Sequence, residues 1–579
     1  MNYPAWIVPI IGSGWVIGMI AILHVSISHF AIGGGFFLPM AEAKGLKIVD
    51  AEGRRAWIDK LRGYSKFFLI LTGVVGAVTG VGIWFAIGLV SPEGTSTLIH
   101  NFVFGWAIEW VVFMVELSFA AVYYYTWDRV SDALHLRIGY IYAVVSFLTL
   151  FIINGILTFM LTPGPEWLAV AGTGDEASRF FPAFFNPTFW PSLCLRTLVC
   201  IALAGIYALV VFSRIDGDKE GRVKRELIRW SAMWLLPAFF LVPVFFAWYL
   251  LQVPESQRAL LGLGIATIGS GAFTQITRMA MITVMTSATI LGVVYFLAYR
   301  SPRDFKFGHA LAVLILAVLA TGATESSREM LRKPYVVGGF MFSNGLRVYQ
   351  AEKFNEEGYL THSMWAPAVE ASLAPEKVGQ RMFYGQCMAC HTLDGYRGMI
   401  GLLQGRDERA IGNVLKMLHD YKDDSPYRKF MPPLVGTPEE IDALKIYLNS
   451  IANPGEAAKE KAAPALPAAT APEATPAAPS PATSSTPAPS SSASAALGQQ
   501  VYAAKCASCH AGNGKFAIGT LLKGKDAGSI AAVVDALRAY PETSPYRKTM
   551  PKLAATDGES EALKVYLGSL ATPAPAAVQ

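Results

Sequence analysis

Two short stretches carry the most legible chemistry. Cys387-Met388-Ala389-Cys390-His391 and Cys506-Ala507-Ser508-Cys509-His510 each set two thiols three positions apart, with an imidazole after the second. Thiols so spaced on a helix reach the two vinyl groups of one porphyrin, and the adjoining histidine meets its iron. A sixth ligand must then come from across the ring. Met431 and Met550 each follow their histidine by 40 residues, each in a Met-Pro pair. Proline after methionine holds the loop extended, and His/Met ligation raises the potential and suits electron transfer. A zinc or redox Cys-x-x-Cys would need a second cysteine pair nearby, and neither stretch has one. Two covalent c-type haems are therefore expected. The remaining cysteines, Cys194 and Cys200, read as inert core thiols.

A second group of residues stands out by its surroundings. His24, His29, Glu109, Glu116, Arg196, Arg278, Glu325 and the cluster Arg328, Glu329, Arg332 lie within or beside long apolar runs. Ionisable side chains at bilayer depth are costly and mark function by default. At ~1.5 Å per helical residue, these groups gather in the outer half of the membrane. Imidazole and carboxylate at one depth suit a buried iron porphyrin: the first supplies an axial nitrogen, the second ligates weakly or passes protons. Arg328 and Arg332 could pair haem propionates. A bland reading, satisfied polar residues between packed helices, applies best to His29. Glycines Gly33, Gly34, Gly35, Gly73, Gly76 and Gly80 read as close helix packing.

The elements that must hold these residues follow from composition. Of 579 residues, 53% are hydrophobic and only 16% charged, and mean hydropathy is +0.38. This excludes a chain disordered throughout, a coiled coil and a nucleic-acid binder. A bilayer core needs ~20 apolar residues per helix. Eight such runs lie near 14–41, 67–90, 101–126, 138–162, 189–213, 230–251, 279–299 and 308–327. The loops after the odd-numbered runs hold 18 Lys/Arg, whereas those after runs two, four and six hold Arg179 and Arg258. Positive loops stay in the cytoplasm, so the N-terminus and everything after Lys333 face outside. A milder stretch, 259–276, is read as non-spanning on the same bias. The first run lacks a basic n-region and a cleavage pattern, and reads as a retained helix.

The outer half is a repeat. VGQRMFYGQCMACH, SPYRKFMPPL and EEIDALKIYLNSI in 378–451 match LGQQVYAAKCASCH, SPYRKTMPKL and GESEALKVYLGSL in 497–570. Between them, 452–496 is nearly all Ala, Pro, Ser and Thr, with too little apolar surface to fold. Haem c is attached on the outer side of the bacterial membrane, which agrees with the charge-derived orientation. The expected fold class is all-α: a polytopic membrane bundle of about eight helices, then two small class I-like cytochrome c domains.

Residues 1–345 resemble the large membrane subunit of cytochrome bd-type oxidases. The resemblance rests on AILHVSISH, VVGAVTGVG, AIEWVVFMVELSF followed by YTWDR, IINGILT and, most specifically, SREMLRKPY. It implies that His24 is an axial ligand of an active-site haem. It makes Glu329 an axial ligand of a second high-spin haem, with Arg332 near it. Glu109 would lie by the oxygen-reducing haem and Glu116 on the proton route. It also implies a second, homologous membrane subunit. The departures are as informative. The His of the low-spin b haem is replaced in the fifth run by Leu195-Arg196-Thr197, and its partner Met aligns with Ala280 after Arg278. The loop that carries the family's quinol site is cut to about 252–278. The quinol site and the low-spin b haem both read as lost, with the two c haems as substitutes.

The expected organisation is a bd-oxidase-like haem domain at 1–345 and a connector at 346–376. The first c domain then spans 377–452, a linker 453–496, the second c domain 497–571 and a tail 572–579. Electrons from a periplasmic donor, a cytochrome or similar protein, would pass through the c haems to two non-covalent membrane haems, b and b or b and d, that reduce dioxygen. The expected location is the bacterial cytoplasmic membrane, with the c domains periplasmic. The residues leave open a different gas, such as nitric oxide, and a non-catalytic conduit or sensor.

Overall fold

The computed structural model describes residues 5–579 except 256, 259–261, 263–273, 365–372, 455–496, 503–504, 507–517, 524, 540–551 and 571–579. Two compact units are present. One comprises Met1–Ala368, Phe383–Tyr396 and Lys422–Thr437; the other comprises Val369–Met382, Arg397–Tyr421 and Pro438–Gln579.

Among the described residues, eight helices of the first unit are long and apolar enough to cross a bilayer: α1 (Ser13–Leu46), α2 (Ala51–Val90), α3 (Val103–Tyr125), α4 (Asp132–Phe159), α5 (Phe189–Phe212), α6 (Gly221–Gln252), α7 (Gln275–Arg300) and α8 (Phe307–Arg332). Each expected run is one of these helices. Most of the stretch 259–276 lies outside the described residues. α1 and α2 are longer than their apolar runs because helix boundaries obey caps as well as hydropathy. Asp50 Oδ2 accepts from Gly53 N at 3.0 Å, starting α2 in its charged segment. Similarly, Ser131 caps α4 and Thr274 caps α7. Pro237 and Pro243 sit inside α6, tolerated because neighbouring groups satisfy the freed carbonyls.

α1 is the hub. A Cβ on Gly33 would lie 1.9 Å from Cys200 O of α5, one on Gly34 2.4 Å from the Phe68 ring of α2, and one on Gly35 2.6 Å from the Tyr142 ring of α4. Successive helical residues point ~100° apart, so three consecutive glycines admit three different helices. This is the close packing expected of them. An aromatic core of Phe30, Phe37, Trp57, Tyr64 and Phe212 fills the space between these helices. α2 contains a π-helical turn at Leu71–Gly76. After α8 the chain forms a small antiparallel pair, β1 (Tyr335–Val337) and β2 (Met341–Phe342).

The second unit holds matching pieces of the sequence repeat. In the first copy lie Pro375–Gln386 (α9, whose last residues belong to the first unit), Met399–Leu403 (α10), Glu408–Asp420 (α11) and Pro438–Ala452 (α12). In the second lie Ile518–Leu522 (α13), Ala527–Ala539 (α14) and Asp557–Leu570 (α15). Asp407 caps α11 through Ala410 N at 2.7 Å, and Asp526 caps the equivalent α14 through Ser529 N at 2.7 Å. A Cβ on Gly379 would meet Ala443 O at 2.0 Å, and one on Gly498 would meet Ala562 O at 1.9 Å. The same glycine thus permits the same close crossing in each copy.

Candidate active site and haem sites

His24 faces α2 just beyond the π-helical turn. Its Nδ1 lies 3.1 Å from Thr79 Oγ1. The Thr79 hydroxyl donates to Val75 O at 2.7 Å, so it accepts from Nδ1–H of the imidazole. In the tautomer that donates from Nδ1, Nε2 carries the lone pair that a metal ligand requires. A Cβ on Gly80 would lie 3.1 Å from His24 Cε1, so glycine leaves room for the ring.

Glu116 is buried on α3. Its Oε2 accepts from Thr149 Oγ1 at 2.8 Å, and its Oε1 lies 3.3 Å from Tyr142 Oη. Glu109, seven residues earlier and so on the same face, is half-buried. A carboxyl held by hydroxyls rather than by a cation can give up or take a proton without breaking an ion pair.

The remaining membrane groups form an ionic cluster where α1, α5 and α8 meet. Arg328 Nε donates to Glu325 Oε2 at 2.8 Å. Arg196 of α5 and Glu325 act electrostatically on His29, which is 5% exposed and whose Nδ1 has no hydrogen-bond partner among the described residues. One turn further along α8, Glu329 pairs with Arg332 and, through Oε1 at 3.1 Å, with Lys333 Nζ. Arg332 is buried, and its Nε has no partner among the described residues. Arg328 is occupied by Glu325, whereas Arg332 keeps a donor for an acidic group. Arg278 lies exposed at the head of α7.

The first Cys-x-x-Cys-His segment lies within the same unit as the bundle. Burial pushes the Cys387 thiol up to about 12, opposite to the depressed value of a reactive or metal-binding thiolate. Gln386 Nε2 donates to Val435 O at 2.7 Å and Gln386 Oε1 accepts from Val435 N at 3.0 Å. This pair ties the residue before Cys387 to the loop that carries Met431. Cys390 Sγ lies 3.9 Å from Lys333 Nζ. Tyr396 N donates to Ile10 O at 2.9 Å, and its ring meets Trp15 edge-on at 5.8 Å. In the second copy Cys506 is half-buried, while Cys509, His510 and Met550 lie outside the described residues. Cys200 is buried in the bundle, as expected of a core thiol.

Two groupings went unread in the sequence. Lys333 bridges Glu329 and Cys390, and nothing near it in the chain signals this. Glu42, Tyr123 and His135 form a buried triad at the far ends of α1, α3 and α4. His135 Nδ1 lies 2.8 Å from Glu42 Oε1, and Tyr123 Oη donates to Glu42 Oε2 at 2.7 Å. One signal was available: His135, Gly139, Tyr142 and Ser146 repeat at helical spacing on the buried face of α4.

The residues present fit haem at three places: an imidazole at His24, a buried guanidinium with an unused N–H at Arg332, and an anchored thiol pair opposite a methionine loop. Residues 13–262 match the family model of cytochrome bd terminal oxidase subunit I, and residues 493–567 match that of cytochrome c oxidase, cbb3-type, subunit III. Two parts of one chain are thus similar to a bd-type membrane subunit and to a cytochrome c subunit. Among solved structures, bd oxidase from Geobacillus thermodenitrificans is similar at 17% identity and a TM-score of 0.46, over 56% of this chain and 88% of that one. No curated protein matches the chain. Eight candidate spanning helices and the two family matches support an integral membrane oxidoreductase that uses haem in electron transport.

Proposed function

We propose that the bd-type fusion is the large subunit of a respiratory terminal oxidase fed by a periplasmic donor through two covalent c haems. The observation that carries this reading is Lys333, whose ammonium touches both the Cys390 sulfur and the Glu329 carboxylate. The anchor of a covalent haem and a candidate ligand of a membrane haem thereby come within one side chain of each other. We retain the domain division set out from the sequence, 1–345, 377–452 and 497–571, although the first haem segment and the Met431 loop share a compact unit with the bundle.

Haem bound here would supply one-electron transfer and an open coordination position for dioxygen. His24 and Glu329 are the residues that would hold the membrane haem irons. Cys387, Cys390, His391 and Met431 hold the first c haem, and Cys506, Cys509, His510 and Met550 the second. Arg332 would offer its unused N–H to an acidic group of the membrane haem. Arg196, at the low-spin haem's histidine position, is held in the ionic cluster and offers no ligand, so the quinol-linked haem is absent. Protons move from the Glu42–His135 end along Tyr142 and Thr149 to Glu116, and on to Glu109. The exposed apolar face of α3, with Phe104 and Trp110, is where we place the second membrane subunit.

The test is a haem count by pyridine haemochrome with reduced-minus-oxidised spectra, followed by oxygen uptake with a reduced soluble cytochrome. Two covalent and two extractable haems per chain, carbon monoxide binding and oxygen uptake are expected. Pigment that is wholly thioether-bound would overturn the reading. Nitric oxide consumption without oxygen uptake would redirect it to another gas.

A further inference from the structure

The other end of α8 holds a site that the oxidase reading does not use. Arg225 and Arg229, one turn apart on α6, line a cleft of about 390 Å³ together with Arg300, Arg303 and Asp304 from the α7–α8 connection. α8 runs ~1.5 Å per residue from this loop to Arg332, so the cleft lies about a bilayer thickness from the haem-ligand candidates. The charge bias of the loops makes this the cytoplasmic end.

Positive loops alone do not account for the cleft. Several basic residues on this face are neutralised: Lys60 pairs with Glu220, Arg62 with Asp128, and Arg222 with Asp50 and Glu226. By contrast, none of Arg225, Arg229, Arg300 and Arg303 makes an ion pair among the described residues, and Arg229 donates only to Tyr299 O, at 3.2 Å. Four guanidinium groups on one concavity, with a single carboxylate, repel one another unless an anion joins them. Guanidinium forks match phosphate oxygens. The α7 wall identifies the kind of anion. Phe296 is 65% exposed and Tyr295 is 37% exposed, one turn inward from Tyr299 and Arg300, and Tyr295 stacks on Tyr299 at 6.0 Å. A charged floor below an exposed aromatic wall that leads into the apolar belt suits an amphiphile, with its head on the arginines and its chains along the wall.

We propose that this cleft binds the headgroup of an anionic phospholipid of the cytoplasmic leaflet, preferentially one with two phosphodiesters. The phosphate oxygens accept from Arg225, Arg229, Arg300 and Arg303, and the lipid ties the start of α6 to the α7–α8 connection. No bond is made or broken, and the site is separate from the haems.

The experiment uses the full-length, haem-loaded protein, delipidated in detergent. Mixed micelles of phosphatidylcholine doped with diphosphatidylglycerol are titrated in, and retained lipid is counted by native mass spectrometry alongside the unfolding temperature. Phosphatidylcholine alone and inorganic phosphate at matched ionic strength form the other arms. We expect about one diphosphatidylglycerol retained per chain, with a rise of several degrees in unfolding temperature that neither other arm reproduces. The quadruple change Arg225→Gln, Arg229→Gln, Arg300→Gln, Arg303→Gln should weaken retention at least tenfold, with unchanged haem spectra. If that variant does not assemble, the pair Arg225→Gln, Arg303→Gln replaces it, with Arg222→Gln as a basic control on the same face. Equal retention by the variant and the control, or an equal effect of phosphatidylcholine, overturns the proposal. Inorganic phosphate acting as well as the lipid overturns the lipid assignment.

Discussion

Glu116 and Glu329 are both carboxylates on spanning helices, yet their surroundings assign them different work. Glu116 is held by two hydroxyls, whereas Glu329 is clamped by Arg332 and Lys333. Glu116→Gln keeps the shape and an acceptor oxygen but cannot carry a proton. Turnover should fall by roughly 100-fold, within the range for a lost acid–base group, with all haems retained in the pyridine haemochrome spectrum. Unchanged oxygen uptake would remove Glu116 from the proton route. Lys333→Gln removes a positive charge beside a haem-anchoring sulfur. Oxidised haem carries one more positive charge than reduced haem, so losing the ammonium favours the oxidised form and lowers the midpoint potential. A unit charge in this setting is worth roughly 1–2 kcal/mol, or some tens of millivolts for a one-electron couple. Spectroelectrochemical titration of the 550-region c-type band, with the second c domain as internal reference, reads the shift. At this scale the sequence exposed whatever is bound to a local pattern. Cys-x-x-Cys-His is legible because a porphyrin fixes its spacing, and His24 and Glu116 because they interrupt apolar runs. Lys333 and the Glu42–His135 pair were not legible, since each acquires meaning only from a side chain distant in sequence.

Among the elements, the three glycines of α1 show how the bundle closes. Gly33→Leu would drive a side chain into the Cys200 carbonyl of α5, and repacking backbone costs more than the ~1–3 kcal/mol typical of overpacked side chains. The variant should lose extractable haem and unfold many degrees lower in a thermal melt. Gly63→Ala, where nothing lies within 4 Å of an added Cβ, should leave the melt unchanged. If both variants behave alike, α1 is not the hub. All eight spans could be read from hydropathy because a lipid-embedded backbone has no alternative to helix. The charged first half of α2 could not, since its helicity rests on the Asp50 cap and on packing of Trp57 and Tyr64. The π-helical turn was equally hidden: six residues of LTGVVG look like any apolar helix until Thr79 and Gly80 are seen against His24.

At the scale of the whole molecule, two copies of a sequence repeat follow the bundle, but only the first Cys-x-x-Cys-His segment shares a compact unit with it. Ending the chain at residue 454 should leave one covalent haem in place of two, with membrane haems intact and reduction by dithionite complete. Oxygen uptake driven by a soluble cytochrome should fall at least tenfold if the second domain receives the electrons. Undiminished uptake would show that the donor docks on the first domain instead. The order of domains and the linker were plain from repeat and composition. Which haem segment seats on the bundle was not, because that depends on surface fit at Lys333, Trp15 and Ile10.

The contact between Tyr396 and Ile10 joins the stretch ahead of the first crossing to the stretch beyond the eighth, closing a loop of roughly 390 residues at modest entropic cost. Both edges reach one face only when every helix has threaded in its proper sense. A misthreaded segment would strand them on opposite leaflets, and this contact could not form.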